Sequence, residues 1–209
     1  MSDEPKTVFP VGFFRRTDES PDDRFYVPDR LVTHIDDRAI AAVGALYADL
    51  GIDGRVLDVM SSWISHFIEP PTELIALGMN AFELEHNTAA TGTVVHDLNA
   101  DPRLPFDDAR FDAVTCCVSV DYLTRPVEVF AEVRRVLAPR GVFVCTFSNR
   151  CFPTKAIHGW LATNDAGRCA IVAEYFRHSG GWDPPITQLR TPPGTYGDPL
   201  YAVWSRRTP

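Results

Sequence analysis

Residues 104–114 read Leu-Pro-Phe-Asp-Asp-Ala-Arg-Phe-Asp-Ala-Val, a polar turn that runs directly into an apolar segment ending at residue 120. Proline and aspartate favour a loop at the start of this stretch. A short apolar run after a turn is typical of a strand that is buried on both faces. Four more apolar segments of similar length occupy residues 55–60, 73–79, 93–98 and 141–148. We therefore predict five buried strands in the first 150 residues.

Segments with helical periodicity lie around these strands. Residues 126–138 show the clearest pattern, with Val129, Phe130 and Val133 on one helical face and Pro126 near the start. Further helices are predicted at residues 36–50, 62–68, 81–87, 153–163 and 166–178, and final strands at 186–190 and 200–205. Because strands alternate with helices, we predict an α/β fold: a doubly wound sheet of about seven strands, mostly parallel, with helices on both faces.

The composition limits the class of protein and its partners. The chain has 209 residues, 45% of them hydrophobic, and a net charge of −8. This length suits one domain, predicted at residues 31–209, preceded by a flexible or surface-draped arm at residues 1–30. The negative charge disfavours nucleic acid as a partner, and no apolar run approaches the roughly 20 residues that span a bilayer. The N-terminus lacks the features of a secretory signal, which predicts a cytoplasmic protein.

The cysteines and histidines show no metal-binding pattern. The five cysteines form no C-x-x-C pair, which argues against a disulfide framework and against a zinc site. His34, Asp36, Asp37 and His66 lack the regular spacing of metal ligands, so we predict no metal site.

The strands carry an ordered set of motifs. They are Val56-Leu57-Asp58, then Asp97-Leu98, then the 104–114 stretch, then Arg135-Val136-Leu137-Ala138-Pro139-Arg140-Gly141. In this order the set resembles the class I S-adenosylmethionine (SAM)-dependent methyltransferases of the small-molecule type, over about residues 40–150. The resemblance implies a Rossmann-like fold, SAM as cofactor and a small-molecule acceptor. It also implies that residues 150–180 form a helical insertion on the substrate side; the oligomeric state stays open.

Two strand ends are implied to hold the nucleoside of SAM. By resemblance, Asp97 accepts the adenine amine and Leu98 contacts the ring. Asp97 could instead cap the following turn. Asn80 stands where the family usually has an acid for the ribose hydroxyls, so Asn80, Glu83 or Glu85 could take that role. Asn80 is equally suited to cap a helix.

The loop after the first strand departs from the family pattern. Glycines are expected where the chain has Met60, Ser62 and Ile64, and glycine suits a left-handed backbone and a close approach to a ligand. We therefore expect a remodelled loop in which Asp58, Met60, Ser61 and Ser62 bind the cofactor in an altered pose, or a pocket that holds another ligand. The hydroxyls of Ser61, Ser62 and Ser65 could hold a carboxylate or phosphate at a helix N-terminus.

The last two parallel strands supply candidates for catalysis and for acceptor binding. Ser119 is expected near the cofactor. Asp121 is a candidate general base or substrate anchor and Tyr122 a wall or hydrogen-bond donor, although both also suit a turn before the next helix. Asn149 and Arg150 follow the fifth strand, where an acceptor is expected, and Arg150 could clamp a carboxylate or simply be exposed.

Two further residues complete the expected acceptor site. Trp63 could stack on a ring or pack in the core, and His66 lies on the same predicted helical face. The function hypothesis is a SAM-dependent methyltransferase acting on a small-molecule acceptor with a remodelled cofactor loop. The alternative is a non-catalytic methyltransferase-like protein that binds a metabolite or a protein partner. A nicotinamide dehydrogenase would need a G-x-G-x-x-G motif after the first strand, which is absent.

Overall fold

The computed structural model describes residues 9–194 and 196–209. The first eight residues of the predicted arm lie outside the described residues. Within the described part, a seven-stranded sheet runs through the molecule in the order β3-β2-β1-β4-β5-β7-β6. The strands are β1 Arg55–Val59, β2 Glu73–Gly78, β3 Gly92–Val95, β4 Phe111–Cys117, β5 Leu137–Phe147, β6 Ile186–Leu189 and β7 Tyr201–Arg206.

The first five strands are parallel, and β7 lies antiparallel between β5 and β6. This arrangement confirms the prediction of about seven strands in a mostly parallel sheet. The strand order reverses between β1 and β4. Because parallel strands present their carboxyl ends at one edge, the loops after β1, β2, β3, β4 and β5 meet there, on both sides of the reversal.

Helices cover both faces of the sheet, as predicted. They are α1 Asp22–Tyr26, α2 Asp37–Asp49, α3 Ala81–Glu85, α4 Pro126–Val136, α5 His158–Leu161 and α6 Asp165–Ser179. Val56 of β1 packs in the core that includes α2, whereas its neighbour Leu57 packs in the core of α4 and α6. Successive side chains of a strand point to opposite faces, so a two-sided core needs apolar residues at successive positions, as at Val56 and Leu57 of β1. None of the described helices is long and apolar enough to cross a membrane.

The helix predicted at residues 62–68 does not form. The chain between β1 and β2 is an irregular loop instead. Ser61 and Ser65 donate their hydroxyls back to the Asp58 carboxylate, at 2.7 and 2.6 Å. Serine side chains that bind locally compete with helical hydrogen bonding. The expectations of a helix N-terminus beside Ser61 and of a helical face shared by Trp63 and His66 are therefore wrong.

Other predicted elements are shorter than expected or begin elsewhere. The third strand ends at Val95, two residues before Asp97, and the helix predicted at 153–163 is limited to α5. β5 begins at Leu137, because Leu137 already pairs with Phe111 before the irregularity in the β4–β5 register. α6 packs against α4 and β7, and thus covers the sheet.

The described part of the arm is packed against the domain. The rings of Phe9 and Phe14 meet Tyr175 of α6 at centroid distances of 5.6 and 6.3 Å. Phe13 lies on Gly159 so closely that a Cβ at that glycine would stand 2.3 Å from its ring. A side chain at residue 159 would therefore displace the arm.

A buried ion cluster fixes the next segment of the arm. Lys155, with no exposed side-chain surface, lies 3.1 Å from Asp22 and 3.2 Å from Asp18. Arg16 contacts both carboxylate oxygens of Asp22 at 2.8 Å. These cationic partners, together with a hydrogen bond from Asn99, hold the pKa of Asp22 below its usual value against the opposing effect of burial. The cluster thus joins the arm to the loop after β5.

Candidate functional site

A cavity of about 530 Å³ opens at the carboxyl ends of the parallel strands. This volume falls in the usual range for small-molecule sites. The predicted site residues that line it are Asp58, Met60, Ser61, Ser62, Trp63, His66, Asn80, Asp97, Leu98, Ser119, Tyr122, Asn149 and Arg150. Of the residues that the sequence suggested, Asp121, Ser65 and Glu85 do not line the cavity. The topology therefore brings residues from five loops to one cavity.

Asp58 lies near the carboxyl end of β1. Its carboxylate is buried and accepts three hydroxyl hydrogen bonds, from Ser61, Ser65 and, at 2.7 Å, Thr115 of the neighbouring strand. Burial raises the pKa of Asp58, against the lowering effect of these hydrogen bonds. Because its acceptors are occupied within the protein, Asp58 shapes the loop.

Met60 adopts the left-handed conformation that glycine would favour, with φ of 55°. The turn brings the Ser61 carbonyl over Gly78 of β2, where an added Cβ would lie 2.1 Å from that oxygen. Close backbone approach between these two strand ends is thus kept, with the permissive glycine on β2 instead of in the loop. The hydroxyl of Ser62, the next residue, donates to Glu83 at 2.5 Å.

The loop after β2 contributes Asn80 and Glu83. Asn80 caps α3, because its side-chain oxygen accepts the Glu83 N–H at 3.0 Å. Its amide nitrogen donates to the Tyr26 carbonyl at 3.0 Å and to Asp29 at 2.9 Å. Glu83 is buried and lines the cavity, whereas Glu85 is exposed.

The loop after β3 places Asp97 and Leu98 at the wall. Asp97 caps the turn, since its Oδ1 accepts the backbone N–H groups of Asn99 and Ala100 at 2.8 and 3.2 Å. Its Oδ2 and the Leu98 N–H have no hydrogen-bond partner among the residues that the structure describes. This strand end therefore offers one acceptor and one donor side by side.

In the segment after β4, some side chains line the cavity and others are buried in the core. Ser119 lines the cavity, although its hydroxyl donates to the Cys117 carbonyl at 2.8 Å. Tyr122 also lines the cavity, and its hydroxyl accepts the Phe152 N–H at 2.8 Å. Asp121 is only 2% exposed and points into the core, where burial raises its pKa to about 7.

The loop after β5 forms the outer wall. Asn149 and Arg150 are both exposed and both line the cavity. The Arg150 Nε donates to Asp198 at 2.7 Å, while its two terminal nitrogens have no partner within the described chain. Asp198 also accepts the Asp36 N–H at 3.0 Å, and the Asp198 N–H returns a bond to the Asp36 side chain at 2.7 Å. Asp198 therefore holds the Arg150 side chain in place through Nε, and the two terminal nitrogens remain available to donate hydrogen bonds to a ligand.

The arm covers the cavity from the opposite side. The residues from 31 to His34 continue this covering segment and are counted with the arm from here on. Six residues between Asp22 and His34 line the cavity: Asp22, Tyr26, Arg30, Val32, Thr33 and His34. The Arg30 N–H donates to Glu83 at 2.7 Å, and the Trp63 Nε1 donates to the Val32 carbonyl at 3.1 Å. No sequence motif identifies these arm residues, because the contacts that place them over the cavity are distant in sequence.

Two imidazoles lie at this covered side. The His34 ring stands edge-on to Phe152 with centroids 5.3 Å apart. Burial lowers the pKa of His34 and of His66, and His34 adds to the lowering at His66. The His66 Nδ1 is buried without a hydrogen-bond partner in the described residues. Within the same residues, no group of three or more His, Cys, Asp and Glu side chains is arranged to hold a metal ion.

The chain is similar to methyltransferases in sequence and in fold. Residues 59–145 match the family model described as a methyltransferase domain. A 1,6-didemethyltoxoflavin-N1-methyltransferase from Burkholderia thailandensis, solved with that compound and S-adenosylhomocysteine bound, superposes with a TM-score of 0.58 at 17% identity. The match covers 83% of this chain and 80% of that one.

Two further solved structures show the same similarity. A SAM-dependent methyltransferase from Thermotoga maritima matches at TM-score 0.57 and 12% identity, over 81% of this chain and 90% of that one. A SAM-dependent methyltransferase from Archaeoglobus fulgidus matches at TM-score 0.56 and 13% identity, over 80% of this chain and 94% of that one. The comparison with curated proteins finds no match. At these identities the solved structures establish the fold.

Proposed function

We propose that this chain is a methyltransferase that acts on a small-molecule acceptor and binds SAM through a remodelled loop after β1, since residues 59–145 match a methyltransferase domain and the fold is similar to that of SAM-dependent methyltransferases. The observation that carries the proposal is the pairing of Asp97 and Leu98 at the cavity wall. Asp97 Oδ2 and the Leu98 N–H are unpartnered, and an acceptor beside a donor matches the amine and ring nitrogen of adenine.

The residues at the end of β2 also suit the cofactor. The side chain of Asn80 is hydrogen-bonded to the N-terminus of α3 and to the Tyr26 carbonyl of the arm. We therefore assign the contact with the ribose hydroxyls to Glu83. Its buried carboxylate lines the cavity and is oriented by Ser62 and by the Arg30 N–H. Glu83 thus supplies the acid that the end of β2 lacks, and carboxylates bind neighbouring hydroxyls strongly.

The remodelling lies at the amino-acid end of the cofactor. With no helix after β1, no helix N-terminus is available for a carboxylate there, and the Ser61 and Ser65 hydroxyls are engaged by Asp58. Met60 nonetheless keeps the left-handed turn. We therefore place the amino-acid end against the loop after β1, and leave Arg150 of the loop after β5 to the acceptor.

When bound, SAM supplies a methyl group from a sulfonium, and the carbon–sulfur electron pair stays on sulfur. Such a transfer depends mainly on positioning, so this chain's contribution is to orient the two reactants and exclude water. The arm serves both purposes, because Tyr26, Arg30 and His34 enclose the cavity.

Calorimetric titration with S-adenosylhomocysteine tests the proposal, and Asp97→Asn is the sharpest variant. Asparagine keeps the oxygen that caps the turn but places an amide nitrogen where Oδ2 stood, opposite the adenine amine. Loss of a charged hydrogen bond costs about 1.5–3 kcal/mol, so we expect about 10- to 100-fold weaker binding with an unchanged melting temperature. Absence of wild-type binding even at millimolar ligand would favour the alternative, a non-catalytic protein that binds another metabolite or a partner.

The role of Glu83 is tested with a matched pair on one helix. Glu83→Gln is expected to weaken S-adenosylhomocysteine binding about tenfold or more, because a neutral amide replaces a charged acceptor. Glu85→Gln, on the exposed side of α3, is expected to leave affinity unchanged. Equal affinities for the two variants would remove Glu83 from the cofactor site.

A further inference from the structure

The charges of the cavity wall are arranged unevenly. Three of its acids are partnered within the protein, Asp22 by Arg16 and Lys155, Asp58 by hydroxyls, and Glu83 by Ser62 and the Arg30 N–H; Asp97 is held by its turn through Oδ1, and its Oδ2 is assigned above to the adenine amine. By contrast, Arg150 offers two terminal nitrogens without partners in the described chain. The unsatisfied charge at this end of the cavity is therefore positive, although the chain as a whole carries −8.

The same end of the cavity is aromatic. Phe152 is its centre, with the Tyr122 ring tilted by 33° at 6.0 Å and the His34 ring edge-on at 5.3 Å. The Arg30 guanidinium lies 5.6 Å from the Phe152 centroid. Trp63 lines the wall as well. Flat side chains around a cavity favour a planar ligand, since rings pack with offset or edge-on contacts.

The His34 imidazole is available to accept a proton from such a ligand. Neither of its ring nitrogens has a hydrogen-bond partner within the described residues. The charged and titratable groups that face it are Glu83, Arg30 and His66. Burial and Arg30 lower its pKa, while Glu83 opposes them, so the imidazole is neutral at pH 7 and can accept a proton. His34 is desolvated on the cavity side but keeps part of its surface accessible to solvent, which lets a proton pass on to water.

His66 is suited to a different role. A buried N–H without an acceptor costs more than a buried lone pair. Since the Nδ1 of His66 is buried and unpartnered, its ring proton belongs on Nε2. His66 is thus a hydrogen-bond donor at the cavity, and His34 is the acceptor.

We infer that the acceptor is a planar aromatic molecule with a weakly acidic hydroxyl or ring N–H, that His34 is the catalytic base for its proton, and that Arg150 stabilises the resulting anion. This inference rests on the proposed methyltransferase function. The acceptor's O–H or N–H bond breaks, its proton moves to a ring nitrogen of His34, and its electron pair stays on the acceptor atom. That pair forms the bond to the methyl carbon, and His34 releases the proton to water.

The probe for a test is 4-nitrophenol, because its phenolate absorbs visible light and its phenol does not. With saturating S-adenosylhomocysteine, the bound probe is expected to shift about tenfold toward phenolate relative to free solution, a lowering of one pKa unit. Nuclear magnetic resonance of ¹⁵N-labelled histidine rings should show His34 becoming an imidazolium in the same sample. Nitrobenzene, which has no acidic proton, should leave the His34 ring neutral.

His34→Asn is expected to return the bound probe to its free-solution ratio, and Arg150→Lys to reduce the shift. His178→Asn, on α6 and outside the cavity wall, should keep the full shift. A wild-type protein that binds S-adenosylhomocysteine yet shows no shift, or an unaltered shift in His34→Asn, would overturn this inference and leave the proposed function standing. Failure to bind S-adenosylhomocysteine would instead count against the proposed function itself.

Discussion

Lys155→Met is expected to lower the free energy of unfolding by about 3–5 kcal/mol, the usual cost of removing one partner from a buried ion pair. Lys155 is fully buried, donates to the Ser20 carbonyl at 2.7 Å and contacts Asp18 and Asp22. Methionine fills a similar volume but leaves the buried Asp22 with Arg16 as its cationic partner among the described residues. Urea denaturation followed by tryptophan fluorescence gives the free energy.

The same change should release the arm and open the cavity. Asp22 binds Asn99 at 2.8 Å, and both residues line the cavity. Proteolysis within residues 9–31 is expected to be faster in Lys155→Met, and S-adenosylhomocysteine binding weaker. Arg125→Met is the control, because the exposed Arg125–Glu128 pair should contribute no more than about 1 kcal/mol. Equal effects of the two changes would show that the buried cluster does not hold the arm.

Asp121→Asn is expected to remove a pH dependence of stability. The folded pKa of Asp121 is raised by burial to about 7, whereas an unfolded aspartate has a pKa of about 3.9. A raised pKa means that its stabilising contribution is complete below about pH 3.9 and is lost as the pH rises through 7. The loss amounts to about 4 kcal/mol for a shift of this size.

The measurement is the difference in unfolding free energy between wild type and variant at about pH 5 and about pH 8. Asparagine cannot ionise, so the wild type should lose stability relative to Asp121→Asn over this interval. Asp107→Asn changes an exposed carboxylate, so its unfolding free energy should follow that of the wild type at both pH values. Parallel curves for wild type and Asp121→Asn would mean that the Asp121 carboxyl has a charge-stabilising contact in solution.

The sheet could be predicted because its signals are local. Apolar runs such as residues 55–60 and 111–120 match β1 and β4 closely, since a strand buried on both faces needs a continuous apolar segment. The amphipathic pattern of residues 126–138 likewise matches α4. The order of the parallel strands then brought the predicted Asp97, Tyr122 and Arg150 to one cavity.

The loop after β1 could not be predicted, because long-range contacts override its local pattern. The periodicity of residues 62–68 favours a helix, yet Ser65 is held by Asp58 and by Asn87. Gly44 of α2 also meets this loop so closely that a Cβ there would lie 2.8 Å from Ile68. These partners are far away in the sequence, and their geometry exists only in the folded chain.

The sequence by itself determined the fold, the edge of the sheet where the site lies and the chemical types of side chain gathered there, because strand periodicity and parallel topology follow from local patterns of apolar and turn residues. Tertiary structure alone decided which of those side chains line the cavity. It turned Asp121 into the core, placed Glu83 beside Asn80 and laid His34 of the arm over the cavity. Those outcomes depend on burial and on hydrogen bonds between distant segments, and such contacts leave no local signature in the chain.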